Sequence, residues 1–348
     1  MISNQSIDIL KYTGNPSQVF YVQRLRLMEG KADGEDVIEV FNGKILFWVM
    51  PGRCMDIGKL IFNGTNVSFL SKAGYTNAAH YDAHGMAGLN TFAPGFLHTC
   101  GLRNSGLPNE CDGEEFGFHG RIGQTPAEEI SIERVLDAET PYIVLKGRTR
   151  EGRLFGSNME LAREIRVEYN KPEIQIRDTI TNYGSADEPM FLLYHYNMGY
   201  PLLDENAEFV TTHEFEKPVD ENAAMDLANR TTFAKPEAKV PERCYYYKQK
   251  AVENDAFGAC INRPKGIGVA VHTNPDELPL FCQWKSWASG DYVMGMEPCN
   301  CYGDGRAEHI KRGQVEILPA YSSKTKTCRI ELMDEEAVNA LYQKVNQK

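Results

Sequence analysis

Phe191-Leu-Leu-Tyr-His-Tyr-Asn-Met-Gly-Tyr-Pro201 is an apolar, aromatic run that stays extended until Pro201 stops it. Side chains alternate across a strand, so Phe191, Leu193, His195 and Asn197 share one face. One imidazole therefore stands beside one amide at the end of a buried strand. A second run of this kind, Tyr292-Val-Met-Gly-Met-Glu-Pro298, ends on a lone carboxylate, Glu297. A histidine and a glutamate on separate strands suit general acid–base chemistry, because neither depends on a mobile loop for its position.

Working outward, Ala162-Arg-Glu-Ile-Arg-Val-Glu-Tyr169 and Glu173-Ile-Gln-Ile-Arg-Asp-Thr-Ile180 alternate apolar with charged residues, joined by Asn170-Lys-Pro172. That is the pattern of an antiparallel sheet with one wet face. Tyr142-Ile-Val-Leu-Lys-Gly-Arg-Thr149 precedes them as a further strand, and the His195 run follows as the buried member of the same meander. Near the N-terminus, Asn42-Gly43 and Asn63-Gly64 each read as a two-residue hairpin turn, a pair that accepts positive φ. Residues 204–250 are polar and weakly patterned, with a short helix expected over 222–228. Strands return at 266–273, 279–287, 315–319 and 325–332, and Asp334 caps a helix carrying Val338, Leu341, Tyr342 and Val345 at helical spacing. The expectation is one all-β domain over 1–348. Residues 1–35 form a lead-in and edge strand, and 334–348 the terminal helix.

The 348 residues carry a net charge of -11. Nucleic acid is excluded as a partner, since it needs basic surface to displace counterions. No run approaches the roughly 18 apolar residues of a membrane span, and Met1-Ile-Ser-Asn-Gln-Ser6 lacks the basic start and apolar core of a signal peptide. The nine cysteines have no framework spacing, which fits reduced thiols in the cytoplasm. Cys299-Asn-Cys301, the close pair, has no second pair at metal-site spacing, and no metal is expected.

Residues 74–126 differ, being rich in Gly, His, Asn and Pro with few sustained strands. A loop stretch this long inside a compact fold reads as pocket wall. His80, His84 and His98 read as structural residues. His119 stands among Gly117, Gly120 and Gly123, which let backbone approach a ligand closely, and reads as functional. Arg53 and Asp56 read equally as a structural ion pair or as substrate contacts. Trp284 and Lys285 combine an aromatic face with a polar tip, which suits a sugar ring but also ordinary core.

These motifs carry a resemblance. Gly52-Arg-Cys-Met-Asp-Ile-Gly58, Thr99-Cys-Gly-Leu-Arg-Asn-Ser-Gly106, Phe118-His-Gly-Arg-Ile-Gly123, Leu193 to Leu203, Gln283-Trp-Lys285 and Met296-Glu-Pro-Cys299 follow one another in a known order. In that order the chain resembles the aldose 1-epimerase (galactose mutarotase-like) superfamily, and within it a branch described as a domain of unknown function. The resemblance implies a β-supersandwich of antiparallel sheets around a sugar-binding cleft, and a small-molecule sugar as substrate. It implies that His195 donates a proton to the ring oxygen, that Glu297 takes the proton of the C1 hydroxyl, and that His119 holds and polarises the sugar. Glu242 matches an acidic anchor for sugar hydroxyls, while Arg103, Asn104, Arg121 and Asn197 lie in the motifs that line the cleft. Ring opening by acid and base requires no cofactor.

Anomer interconversion is thus the leading expectation. A non-catalytic sugar-binding protein on the same fold, and an epimerisation or elimination at another carbon, are the alternatives. Arg53, Arg103, Arg121 and Lys285 point to an anionic sugar unless Asp56, Asp112, Glu114 or Glu115 pair with them. Whether the chain forms a homo-oligomer is open.

Overall fold

The computed structural model describes residues 9–346. Alternation of buried and exposed side chains along Asn158–Glu168 and Glu173–Asn182 makes these strands neighbours, with Ile165 opposite Ile176. They lie in an eight-stranded sheet. Its order is Ala207–Thr211, Ala256–Asn262, Ile267–Thr273, Ser323–Met333, Glu173–Asn182, Asn158–Glu168, Tyr142–Gly152 and Glu128–Val135. A seven-stranded sheet faces it. There Glu214–Pro218, Arg243–Lys248, Leu280–Ala288, Asp291–Cys299, Glu188–Met198 and Glu316–Leu318 follow in order, and Leu97–Leu102 pairs with Glu188–Met198. A five-stranded sheet of Tyr21–Arg26, Asp36–Phe41, Ile45–Met50, Asp56–Phe62 and Thr65–Asn66 completes the frame. Paired strands are antiparallel throughout, and Tyr21–Arg26 is the expected edge strand.

One core joins the three sheets: Phe47 and Leu60 from the five-stranded sheet, Ile165 and Ile330 from the eight-stranded, Tyr194 and Met294 from the seven-stranded. The helix Glu335–Asn346 lays Val338, Leu341, Tyr342 and Val345 on the outer face of the eight-stranded sheet, against Phe257 and Ile261. Its first turn is capped by Asp334, which accepts from the Ala337 N–H. The parts of the expected lead-in and terminal helix at 1–8 and 347–348 lie outside the described residues. Among the described residues no helix is long and apolar enough to cross a membrane.

Four local expectations are corrected. The His195 strand leaves the meander: Ser323–Met333 takes the open edge of Glu173–Asn182, and Glu188–Met198 crosses to the facing sheet, where both its faces are covered. Only Gly43 of the Asn42-Gly43 pair takes positive φ, since Asn42 instead accepts at its Oδ1 from Lys44 and Ile45 N–H. Asn63-Gly64 does turn with both residues at positive φ. Residues 204–250 hold the strands Ala207–Thr211, Glu214–Pro218 and Arg243–Lys248 besides the short helix, now Glu221–Met225. Partners distant in the chain supply the order that local patterning did not show. Within 74–126, Leu97–Leu102 is a fully buried strand.

Arg163 ties the sheets together. Its side chain is fully buried and reaches Asp178 Oδ2 and Asp56 Oδ1, each at 2.7 Å, and Thr99 Oγ1 at 2.9 Å. Tyr194 Oη donates to the same Asp178 at 2.9 Å. Each sheet thus places at least one polar atom on one guanidinium. Replacing Arg163 by Met strands two carboxylates in the core, and a loss of about 3–5 kcal/mol is expected. Urea unfolding should show it, with part of the loss recovered when Asp56→Asn and Asp178→Asn are added.

Candidate active site

The pair His195 and Glu297 is assembled by strand register. Leu193 lies opposite Cys299 and Tyr196 opposite Met296, which sets His195 opposite Glu297 on the adjacent strand. On its other side His195 pairs with His98 of Leu97–Leu102, and Glu297 pairs with Cys282 of Leu280–Ala288. Directly opposite residues in a sheet share a face, so His98, His195, Glu297 and Cys282 form one row across four strands. His195 Nε2 stands 3.2 Å from Glu297 Oε1. Gly295 keeps the space beside this pair open: a Cβ there would lie 2.5 Å from Glu297 Oε1 and 3.2 Å from His195 Cε1.

The row forms a floor, only 4% exposed at His195 and 5% at Glu297. Half-buried rings form the rim: Phe92, Phe118, His119 and Trp284. Trp284 meets His195 edge to face at 5.3 Å, and His119 does so at 5.5 Å. His119 sits in the turn expected to approach a ligand, at positive φ, with its N–H on Gly106 O and its carbonyl accepting from Gly101 N–H. Gly120 beside it has φ +74°, and a Cβ there would strike Gly101 O at 2.3 Å. The Gly106 N–H donates to His119 Nδ1 at 3.2 Å, so the neutral ring carries its proton on Nε2.

Burial governs the ionisation of the floor. It pushes His195 down to about 4. Burial, helped by the charge of Glu242, holds Glu297 well above the usual carboxylate range. His98 and His119 are both held well below the ordinary histidine value, again chiefly by burial. Burial thus favours a neutral imidazole beside a protonated carboxyl, one titratable proton for two groups. His195 Nδ1 has no hydrogen-bond partner among the described residues, and Glu297 Oε1 has none beyond the His195 ring nitrogen 3.2 Å away. Unpartnered polar atoms at the base of an aromatic cup are a place for the polar atoms of a ligand.

The other expected site residues divide. Trp284 is on the rim, and its indole N–H donates to Glu242 Oε2 at 2.6 Å, so Glu242 orients the ring. Asn197 continues the His195 strand. Its amide donates to His195 O at 2.6 Å and its Oδ1 is buried without a partner. Asn104 laces the His119 loop, donating to Gly117 O and accepting from Arg306 N–H, each at 2.8 Å. Asp56 pairs with Arg163 instead of Arg53, and it also accepts from Thr99.

The four cations do not converge. Arg103 pairs with Glu114 at 2.6 Å, and Lys285 is buried on Asp226 and the carbonyls of Asn229 and Thr232. Arg53 is buried on Thr76 and Thr91. Arg121 is exposed and lines a separate cavity of about 580 Å³ with Arg103, Glu114 and Glu151. A cationic pocket does not form, and Arg103 takes the Glu114 pairing that stood as its alternative, because chain neighbours of a motif need not share its cleft. His98, expected to be structural, and Phe92, not singled out, both belong to the site. Only strand pairing and ring contacts reveal them. Among the described residues no group of three or more His, Cys, Asp or Glu side chains is placed to hold a metal ion.

Residues 32–332 match the model of the family described as Domain of unknown function (DUF4432). The chain belongs to this family. No curated protein matches the sequence. Among solved structures, a protein of Klebsiella pneumoniae described as a "putative aldose 1-epimerase" superposes with TM-score 0.88 at 22% identity, over 94% of this chain and 87% of that one. A galactose mutarotase-like protein of Clostridium acetobutylicum gives 0.63 at 12% identity, over 91% and 99%. A galactose 1-epimerase of Lactobacillus acidophilus NCFM gives 0.59 at 11%, over 90% and 99%. At these identities the likeness establishes the galactose mutarotase-like fold, and the DUF4432 chain carries that architecture.

Glu297 yields a stability test with a defined sign. Its folded value lies above the ordinary 4.5 of an unfolded chain. The protonated form is thus favoured, and stability falls as pH rises from the unfolded toward the folded value. Glu297→Gln cannot ionise. Its melting temperature should be near that of the wild type at pH 4.5, with the variant increasingly the more stable as pH rises.

Proposed function

We propose that this protein interconverts the anomers of a sugar by acid–base ring opening, with His195 and Glu297 as the reacting pair. The observation that carries this reading is their placement directly opposite one another, 3.2 Å apart, at the base of an aromatic cup. Opening needs an acid at the ring oxygen O5 and a base at the C1 hydroxyl. Two groups sharing one proton supply both at once. The acid's proton goes to O5 as the C1–O5 bond breaks, and the O1 proton goes to the base as the carbonyl forms. After rotation about C1–C2 each group works in reverse. O5 attacks the other face of the carbonyl, returning its proton to the first group as the second reprotonates O1.

Burial by itself favours the proton on Glu297. Sugar hydroxyls donating to the carboxylate favour its charged form, which moves the proton across to His195 and sets Glu297 as base and His195 as acid. His119, with its proton on Nε2, is a donor for a further hydroxyl, and the faces of Phe92, Phe118 and Trp284 suit the C–H faces of a sugar ring. The fold shared with the aldose 1-epimerase-like structures supports the reading.

Anomer exchange, followed by NMR on a panel of free aldoses, uronic acids and aldose phosphates, tests it directly. Glu297→Gln and His195→Asn should each lose about 10²–10⁴-fold of the rate with the fold intact, the usual contribution of a general acid or base. Exchange near the wild-type rate in either variant rejects the pair. Catalysis requires one proton on the pair. The profile of kcat/KM should therefore fall below pH about 4, where His195 also takes a proton. It should fall again as rising pH takes the proton from Glu297, well above the usual carboxylate range. His98 and His119, held neutral, should add no limb between. An acid limb near 6.5 would place the essential histidine in a solvated site.

A further inference from the structure

Phe92 lies at the centre of the rings that surround the catalytic pair. It stacks on His119 with centroids 6.0 Å apart and planes 19° from parallel. It meets His98 edge to face at 5.0 Å, His195 at 5.8 Å and Phe118 at 6.3 Å. Its ring is half-buried, in contact with three of the histidines around the pair. It is carried by an irregular segment, since the 3₁₀ turn Ala87–Thr91 ends immediately before it. A single apolar ring on such a segment would not hold a fixed orientation unaided, because backbone without a ladder has few hydrogen bonds to resist rotation.

Arg53 supplies the restraint. Its guanidinium, 3% exposed, donates from Nη1 to Thr76 O at 3.0 Å and Thr76 Oγ1 at 2.9 Å. From Nη2 it donates to Thr91 O at 3.2 Å, the carbonyl of the peptide that leads into Phe92. Thr76 Oγ1 donates to the same Thr91 carbonyl at 3.1 Å, and Ser71 Oγ donates to Phe92 O. Among the described residues no carboxylate lies at ion-pair distance from Arg53. The nearby buried Glu35, pushed up to about 7 by burial, has both oxygens unpartnered. Burying a guanidinium without a contact counter-ion is costly. Its planar fork can bridge two chain segments in a way a lysine cannot.

We infer that Phe92 is the platform on which the sugar ring rests, and that Arg53 is a positioning residue that fixes this platform through Thr76 and Thr91. The inference rests on the proposed anomer exchange for its kinetic half only. A platform contacts the sugar equally before and during ring opening, so it acts on KM more than on kcat.

The test combines kinetics with the ring-proton NMR spectra of His119 and His195 in the folded protein. Phe92→Leu should raise KM for the exchanged aldose about tenfold, the scale of one aromatic contact, and leave kcat within about threefold. It should also remove the ring-current displacement of the His119 and His195 signals. Arg53→Lys, which keeps the charge but cannot span the acceptors, and Thr76→Val, which removes only the shared hydroxyl, should move the same signals in the same direction. Adding either to Phe92→Leu should raise KM no further. Unmoved histidine signals in both Arg53→Lys and Thr76→Val, additive losses in the double variants, or a Phe92→Leu defect confined to kcat would each overturn the inference. If no sugar on the panel is exchanged, the proposed reaction fails, while the histidine spectra still decide whether Arg53 sets Phe92.

Discussion

A guanidinium shared by two carboxylates at the centre of the molecule is the constraint on which the remaining structure depends. Arg163 lies in the eight-stranded sheet, Asp56 in the five-stranded sheet, and the Tyr194 and Thr99 that complete the cluster in the seven-stranded sheet. Three sheets packed only by apolar contact could slide along one another, since dispersion has no direction. A buried charge that loses its partners is strongly disfavoured, so the ionic cluster penalises any displacement from its register. The strand Glu188–Met198 is held this way from behind. Tyr194 on its core face touches Asp178, while His195, one residue on, faces the cup.

The same strand links stability to chemistry. Opposite faces of one β-strand are set by one backbone, so what fixes Tyr194 also fixes His195. Thr99 does likewise for His98 on the neighbouring strand, because both its N–H and its hydroxyl are bound to Asp56. Once His98, His195 and Glu297 are locked in one row, burial does the rest. It strips water from all three and drives the histidines toward neutrality and the glutamate toward its acid form. A pair that shares one proton is the natural state of such a row. It is poised because proton transfer between its members creates or removes an ion pair without changing the net charge.

Much of this was legible in the residues. The alternation at 158–182, the helix capped by Asp334 and the Asn63-Gly64 turn are local signals, and each element formed where its pattern lay. His195, Glu297, His119 and Trp284 were also legible, because each sits in a short motif of unusual composition. Four neighbours of those motifs did not follow them. Arg53, Asp56, Asn104 and Lys285 turn to partners 23, 107, 202 and 56 residues away or more than one segment apart, and there they hold backbone or balance charge. Phe92 and His98 went the other way, from unremarkable positions into the cup. Which acceptor a buried donor finds depends on the packing of remote segments, and no local pattern encodes it.

The amino-acid sequence by itself determined the class of fold, an antiparallel β protein of net negative charge, and the two side chains fit for acid–base work. Period-two alternation and turn chemistry act over a few residues, so they survive without knowledge of the whole. The tertiary structure alone decided that His195 and Glu297 lie directly opposite one another, that the His195 strand belongs to the facing sheet, and that the basic residues scatter. Those outcomes depend on register between strands about 100 residues apart in the chain, where one step of slip would reverse every face. Register is chosen by the sum of buried contacts across three sheets, and that sum exists only once the chain has closed.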